Sequence, residues 1–323
     1  MRILLPAVLV AAPLHAADLT IYTYDSFVAD WGPGPVIEQG FEARCGCDID
    51  FVAAGDGAAL LSRLRLEGAR SGADVILGLD TNLMAEARAE GLVAPHDLGT
   101  IATDLPVEWD DDAFLPYDWG WFAFVHDADL AEVPTSFQAL AESDISIVIQ
   151  DPRSSTPGLG LVLWVEAAHG EDAGAIWEGL ADNIVTVTPG WSEAYGLFLA
   201  GEADMVLSYT TSPAYHLIAE EDGSKRAAVF DEGHYLQIEV MAISAATDAP
   251  DLARNFISYM LSEEVQSSLP TTNWMYPAIA LEAGLPDGFD TLARPATSLL
   301  MDAETARDRR GPAIETWRSA LSR

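Results

Sequence analysis

Gly201-Glu-Ala-Asp-Met-Val-Leu-Ser-Tyr-Thr-Thr-Ser-Pro-Ala-Tyr-His216 decides the reading of the fold. An apolar strand ends at Tyr209, Thr-Thr-Ser-Pro starts a helix, and Tyr215 stands one turn into it. Open α/β sheets take ligands beyond the carboxyl ends of their strands, where helix N-termini expose free N–H groups. Both tyrosines are expected at that edge, as a wall of a cleft.

The same device recurs along the chain. Leu19 to Tyr24 reads as a strand ending in Asp25, and Asp48 to Ala53 as a strand before Asp56-Gly57. The helix from Asp56-Gly57 runs through Arg70, with Leu60, Leu61, Leu64 and Leu66 facing inward. Pro35 to Cys45 is helical, Asp74 to Leu79 is a buried strand, and the helix from Thr81 stops before Gly91, as helices often do. Trp119 to His126 is a strand, and Val133-Pro-Thr-Ser leads into a further helix. Ile145 to Ile149 is a strand before Ser155-Thr156-Pro157, a strong helix start whose free N–H groups suit an anion. Val185 to Val187 precedes a helix start bearing Trp191, and Tyr235 to Ser244 is a returning apolar strand. Leu252 to Leu261 is helical, Thr271 to Pro277 is a loop holding Trp274, and Ala303 to Leu321 is a closing amphipathic helix. Alternating strands and helices argue an α/β protein of two doubly wound lobes.

Composition narrows the function. The chain has 323 residues, half of them hydrophobic, enough for a large core. Its 51 acidic against 16 basic residues give a formal net charge of -35, which opposes binding to nucleic acid or an anionic membrane surface. Lys225 is the sole lysine, so a Walker phosphate loop, a lysine Schiff base and S-x-x-K hydrolase chemistry are excluded. Arg2, the apolar run Ile3 to Pro13 and Leu14-His15-Ala16 read as a secretory signal peptide over 1–16, cleaved near Ala16. Cys45 and Cys47 are the only cysteines, and two thiolates cannot complete a zinc site. In an oxidising compartment they are expected to form a structural pair, with their oxidation state left open. The five histidines outside the leader show no metal-ligand spacing, so no metal site is expected.

Tyr24, Asp25, Asp56, Gly57, Ser155, Thr156, Trp191, Tyr209, Tyr215 and Trp274 thus fall on strand-end loops or helix starts and are the candidate ligand-binding residues. Aromatic faces attract cations and stack on rings, carboxylates accept from amines, and helix starts take phosphate. The kit suits a cationic ring with an amino group and a phosphate.

Longer motifs are familiar: Tyr22-Thr-Tyr-Asp-Ser-Phe, Asp30-Trp-Gly-Pro-Gly-Pro, Gln150-Asp-Pro-Arg-Ser-Ser-Thr-Pro-Gly-Leu-Gly-Leu, Gly190-Trp-Ser-Glu-Ala-Tyr-Gly-Leu-Phe and Asn273-Trp-Met-Tyr-Pro. With the opening stretch, they make the chain resemble the periplasmic thiamine-binding proteins of bacterial ABC importers, and the Cys-x-Cys element fits too. That resemblance implies the type II periplasmic-binding-protein fold, two α/β lobes joined by hinge strands. The lobes are expected at 17–117 with 240–285, and at 118–239 with 286–323. It also implies a periplasmic, monomeric protein, not an enzyme and without a cofactor, that hands thiamine, thiamine phosphate or thiamine diphosphate to an ABC permease with its ATPase. Tyr24, Tyr215 and Trp274 would surround the rings, with Asp25 and Asp56 as partners for the cation or amine. Gly57, Ser155, Trp191 and Tyr209 would meet the hydroxyethyl or phosphate end. Rivals are a carrier of another cation such as a polyamine, a ferric-ion binder using Tyr209 and Tyr215, and a thiamine-degrading enzyme with a cysteine nucleophile.

Overall fold

In the computed structural model, residues 17–322 are described. The leader expected over 1–16 lies outside them. Eight principal strands carry the architecture: β1 (Leu19–Thr23), β2 (Ile49–Ala53), β3 (Val75–Asp80), β4 (Phe114–Asp127), β5 (Ile147–Gln150), β6 (Ile184–Thr188), β7 (Met205–Tyr209) and β8 (His234–Ser244). Their lateral order is β2-β1-β3-β8-β4-β7-β5-β6. Strands β1, β2 and β3 pair in parallel at one end, and β5, β6 and β7 at the other, each set alternating with helices as parallel crossovers require.

Two long strands join the ends. The first half of β4 pairs antiparallel with β8, from Phe114 opposite Ala242 to Trp121 opposite Leu236, and its second half pairs with β7. Strand β8 in turn pairs with β3. The sequence reading began the first of these strands at Trp119. The run Phe114-Leu-Pro-Tyr-Asp hid the earlier start, because a proline and an acid interrupt the apolar pattern, yet all five residues are buried in the sheet.

The helix Thr156–His169 begins as expected, with Pro157 in its first turn, and is buried on every side from Thr156 to Val165. It lies this close to the sheet because Gly160 leaves room for Phe122, whose Cδ2 would be 2.7 Å from any Cβ there. Trp164 is fully buried between Phe137 and Phe230, and its indole N–H donates to the Gly233 carbonyl at 2.9 Å. The helix Ala303–Leu321 packs on helices Thr81–Ala89, Thr156–His169 and Ala173–Leu180.

Two local expectations change. Leu66 does not face inward: it is 83% exposed, because the rotation per residue carries it past the stripe formed by Leu60, Leu61 and Leu64. The stretch from Thr271 is only partly a loop, since Leu269–Thr272 is a short helix and Tyr276–Pro277 pairs with β4. Cys45 and Cys47 form a disulfide at the end of helix Gly34–Cys45. Among the described residues no helix is long and apolar enough to cross a membrane.

Candidate functional site

A cavity of about 410 Å³ opens where strand ends and helix starts from both ends of the sheet meet. Seven of the sequence candidates line it: Tyr24, Asp56, Thr156, Trp191, Tyr209, Tyr215 and Trp274. Tyr24 follows β1, Tyr209 closes β7, and Trp191 and Thr156 open their helices. Tyr215 and Trp274 meet edge to face, ring centroids 5.4 Å apart at 78°, and make a corner rather than a flat wall. Trp191 is fixed by stacking on Tyr195 at 5.1 Å and by donating its indole N–H to Ser208 Oγ at 2.8 Å.

Asp25, Gly57 and Ser155 are not in the lining. The Asp25 carboxylate accepts from the Gly55 N–H at 2.9 Å and so ties the loop after β1 to the turn at Gly55. Gly57 N–H donates to Thr156 Oγ1 at 3.1 Å. A Cβ on Gly57 would lie 2.5 Å from that hydroxyl and 2.7 Å from the Gly78 carbonyl, so only glycine permits this approach. Ser155 is fully buried, and its hydroxyl donates to Asp56 Oδ2 at 2.7 Å. The turn at Gly55–Gly57 is therefore bonded directly to the helix start at Ser155–Thr156, beside the cavity.

Asp56 keeps a partial opening to the cavity, but protein surrounds its carboxyl. Burial pushes it up to about 6, against the pull of the Ser155 hydroxyl and the backbone N–H of Trp191. Burial, and after it the Glu239 charge, holds the Tyr209 phenol well above its usual range, so Tyr209 presents a neutral hydroxyl.

The sequence reading missed the acidic part of the wall. Glu239 on β8 lines the cavity with Asn273 beside it. Its Oε2 accepts from Tyr24 Oη at 2.9 Å and from Tyr117 Oη, and its Oε1 accepts from Gln237 Nε2 at 3.0 Å. Asp118 sits opposite Glu239 in the β4–β8 ladder and accepts from Asn273 Nδ2 at 2.5 Å. Burial raises Glu239 to about 7 despite its three donors, and burial followed by the Glu239 charge drives Asp118 well above the usual carboxylate range. The alternation in Gln237-Ile238-Glu239 was a legible signal, since period two puts both polar residues on one face of a buried strand. Trp31, Ser212, Tyr195 and Met275 also line the cavity and were not singled out.

The cavity thus offers aromatic corners, neutral hydroxyl donors and buried carboxyls, with neither cysteine among its lining residues. The model of bacterial extracellular solute-binding proteins matches residues 20–267. The chain belongs to that family. It is 50% identical to the thiamine-binding periplasmic protein of Escherichia coli (strain K12), over 98% of this chain and 97% of the relative. It is 48% identical to the protein of the same name from Brucella melitensis biotype 1, over 98% and 96%. A solved periplasmic thiamin binding protein superposes with a TM-score of 0.92 at 50% identity, covering 94% of this chain and 96% of that one. The fold is accordingly the type II binding-protein fold, and these relatives are binding proteins, not enzymes.

Proposed function

We propose that the chain is a periplasmic solute-binding protein that captures thiamine and its phosphates in this cavity and delivers them to an ABC permease. The observation that carries the reading is the cavity's chemistry: aromatic rings from five separate segments surround a space bordered by carboxyls that no basic side chain bonds among the described residues. Such a site favours a flat, permanently cationic ligand. The kinship reported above supports thiamine within that class.

In this reading Tyr24, Tyr215 and Trp274 hold the rings, and Trp191, Tyr209 and Thr156 border the hydroxyethyl or phosphate end. Asp56 now takes the Ser155 hydroxyl and the Trp191 N–H, donors that would also suit a phosphate. A phosphorylated cargo must therefore compete with Asp56 for them, whereas free thiamine leaves them in place. The proposed lobes are 17–117 with 240–285, and 118–239 with 286–323, the long strands β4 and β8 serving as hinges. The helix Ala303–Leu321 rests on helices of both lobes and would follow their motion. The protein is proposed to act as a monomer, with a permease and its ATPase as partners and the leader removed near Ala16.

Titration calorimetry with thiamine, thiamine diphosphate, putrescine and ferric citrate is the test. Heat with at least one thiamine compound and none with putrescine or ferric citrate is expected. Absence of heat with both thiamine compounds would sink the reading, and a stronger response to putrescine would replace the cargo with a polyamine. Intact-mass measurement of the exported protein is expected to place its first residue at Ala17 or Asp18, and an uncleaved chain would refute the leader.

A further inference from the structure

We propose that Glu239 and Asp118, paired across the two hinge strands, are the counter-ion for the cationic ring of the cargo, and that binding expels a proton the pair holds in the empty protein. This rests on the thiamine reading and says which groups recognise the charge.

Register places the two carboxyls side by side. Glu239 on β8 stands opposite Asp118 on β4 and, on its other flank, opposite Asp80 on β3. Like charges directly opposite in a sheet repel, and here the row lies in the buried centre. The ladder shifts register between Glu239 and Val240 against β4, and between Val240 and Met241 against β3, irregularities of the kind that re-aim a side chain beside a functional site. Of the pair, Glu239 alone borders the cavity, while Asp118 lies behind it through Asn273.

Every group facing this pair is neutral or acidic. Tyr24 and Tyr117 donate to Glu239, Gln237 donates to its other oxygen, and Asn273 bridges Asp118 and Tyr24. Asp56 and Tyr209 complete the surroundings on the cavity side, and Asp80 is occupied in capping the helix at Thr81. Arg310, whose charge acts on that capping residue, is paired with Glu86. Among the described residues no Lys, Arg or His forms an ion pair with Glu239 or Asp118. Asp118 is fully buried, and its Oδ1 has no hydrogen-bond partner.

Adjacent carboxyls cannot both ionise under these conditions, so the pair retains a proton at neutral pH. A quaternary ring nitrogen cannot donate a hydrogen bond, so only its charge can be read. That charge removes the reason for the proton: the shared carboxylic acid becomes carboxylate, and the proton leaves to solvent. The two hinge strands are then drawn to a single ligand charge.

The experiment is calorimetry of the full mature protein with thiamine at pH 6.5, in two buffers of different ionisation enthalpy, with Kd also measured at pH 6 and pH 8. The wild type is expected to release roughly half to one proton and to bind about tenfold more weakly at pH 6 than at pH 8. A neutral isostere, with carbon in place of the quaternary nitrogen, is expected to release none. Glu239→Gln should abolish the release and weaken thiamine at pH 8 by about tenfold or more, and should weaken the isostere much less than thiamine. Loss of release in this variant also separates Glu239 from Asp56. Asp118→Asn serves as a second variant with the same expected loss, and the isostere arm needs no variant. Buffer-independent heat for thiamine, equal release with the isostere, or unchanged thiamine affinity in a folded Glu239→Gln overturns the inference alone. Absence of thiamine binding by the wild type overturns the functional reading and this inference with it.

Discussion

Gly78→Ala is expected to lower folding stability by about 2–4 kcal/mol and to remove most of the affinity for cargo, from a residue that does not line the cavity. Gly78 lies within β3 at φ 101°, a conformation that L side chains rarely adopt. A Cβ there would also fall 2.6 Å from Cε1 of Tyr24. The Tyr24 ring has little freedom to yield. Its hydroxyl is bonded to Glu239 and Asn273, and its ring packs edge-on against Phe27 at 5.6 Å. The substitution therefore either strains the strand or expels the ring from the cavity wall, and both outcomes degrade the site. Gly46→Ala is the control, since Gly46 also has positive φ, 64°, but nothing lies within 4 Å of the added atom. It should lose only about 1 kcal/mol and bind normally. Urea unfolding and calorimetry on both variants decide the matter. Equal affinities for the two would mean that Tyr24 is not a wall of the binding site.

What the sequence made legible, and what it hid, divides along a physical line. Helix starts and strand ends announce themselves locally, through Ser155-Thr156-Pro157 or the run into Tyr209, and seven of ten candidates chosen that way border one cavity. Local signals do not say whether a polar group faces ligand or protein. Ser155 has the composition of a ligand-binding serine, yet its hydroxyl is committed to Asp56, ninety-nine positions away in the chain. The Asp25 carboxylate is likewise bonded to the Gly55 N–H, thirty positions away. Glu239 and Asp118 present the opposite case. Glu239 sits in a strand that reads as core and Asp118 just before the strand expected from Trp119, and only the antiparallel register of β4 against β8 brings them together. No pattern within either strand encodes that register, because it depends on the register shift after Glu239 and on how the two long strands cross between the ends of the sheet. The aromatic wall of the cavity is therefore readable locally, whereas its acidic part is announced only by the Gln237-Ile238-Glu239 alternation and needs the fold to bring Asp118 beside it.

Trp274→Ala is expected to weaken thiamine binding by about 1–3 kcal/mol, roughly 5- to 150-fold, as loss of a desolvated cation–π face implies. The backbone adds a reason to expect a functional residue here. Trp274 has φ 57°, immediately after the short helix Leu269–Thr272, and its N–H donates to the Leu269 carbonyl at 3.0 Å. Glycine usually fills such a left-handed position after a helix, and a bulky side chain there is held at a cost in backbone energy. The strain is tolerated because the turn aims the indole into the corner with Tyr215, where a ring can stack. Comparing Trp274→Ala with Trp274→Gly separates the two contributions. Both lose the indole, so both should bind thiamine equally poorly, but glycine relieves the backbone and should be the more stable by about 0.5–1 kcal/mol. Trp274→Phe keeps a ring and should retain most of the affinity. Should the alanine variant bind as tightly as the wild type, Trp274 does not touch the cargo. Should alanine and glycine prove equally stable, the positive φ is not where the indole's placement costs energy, and the packing against Tyr215 alone must hold the corner.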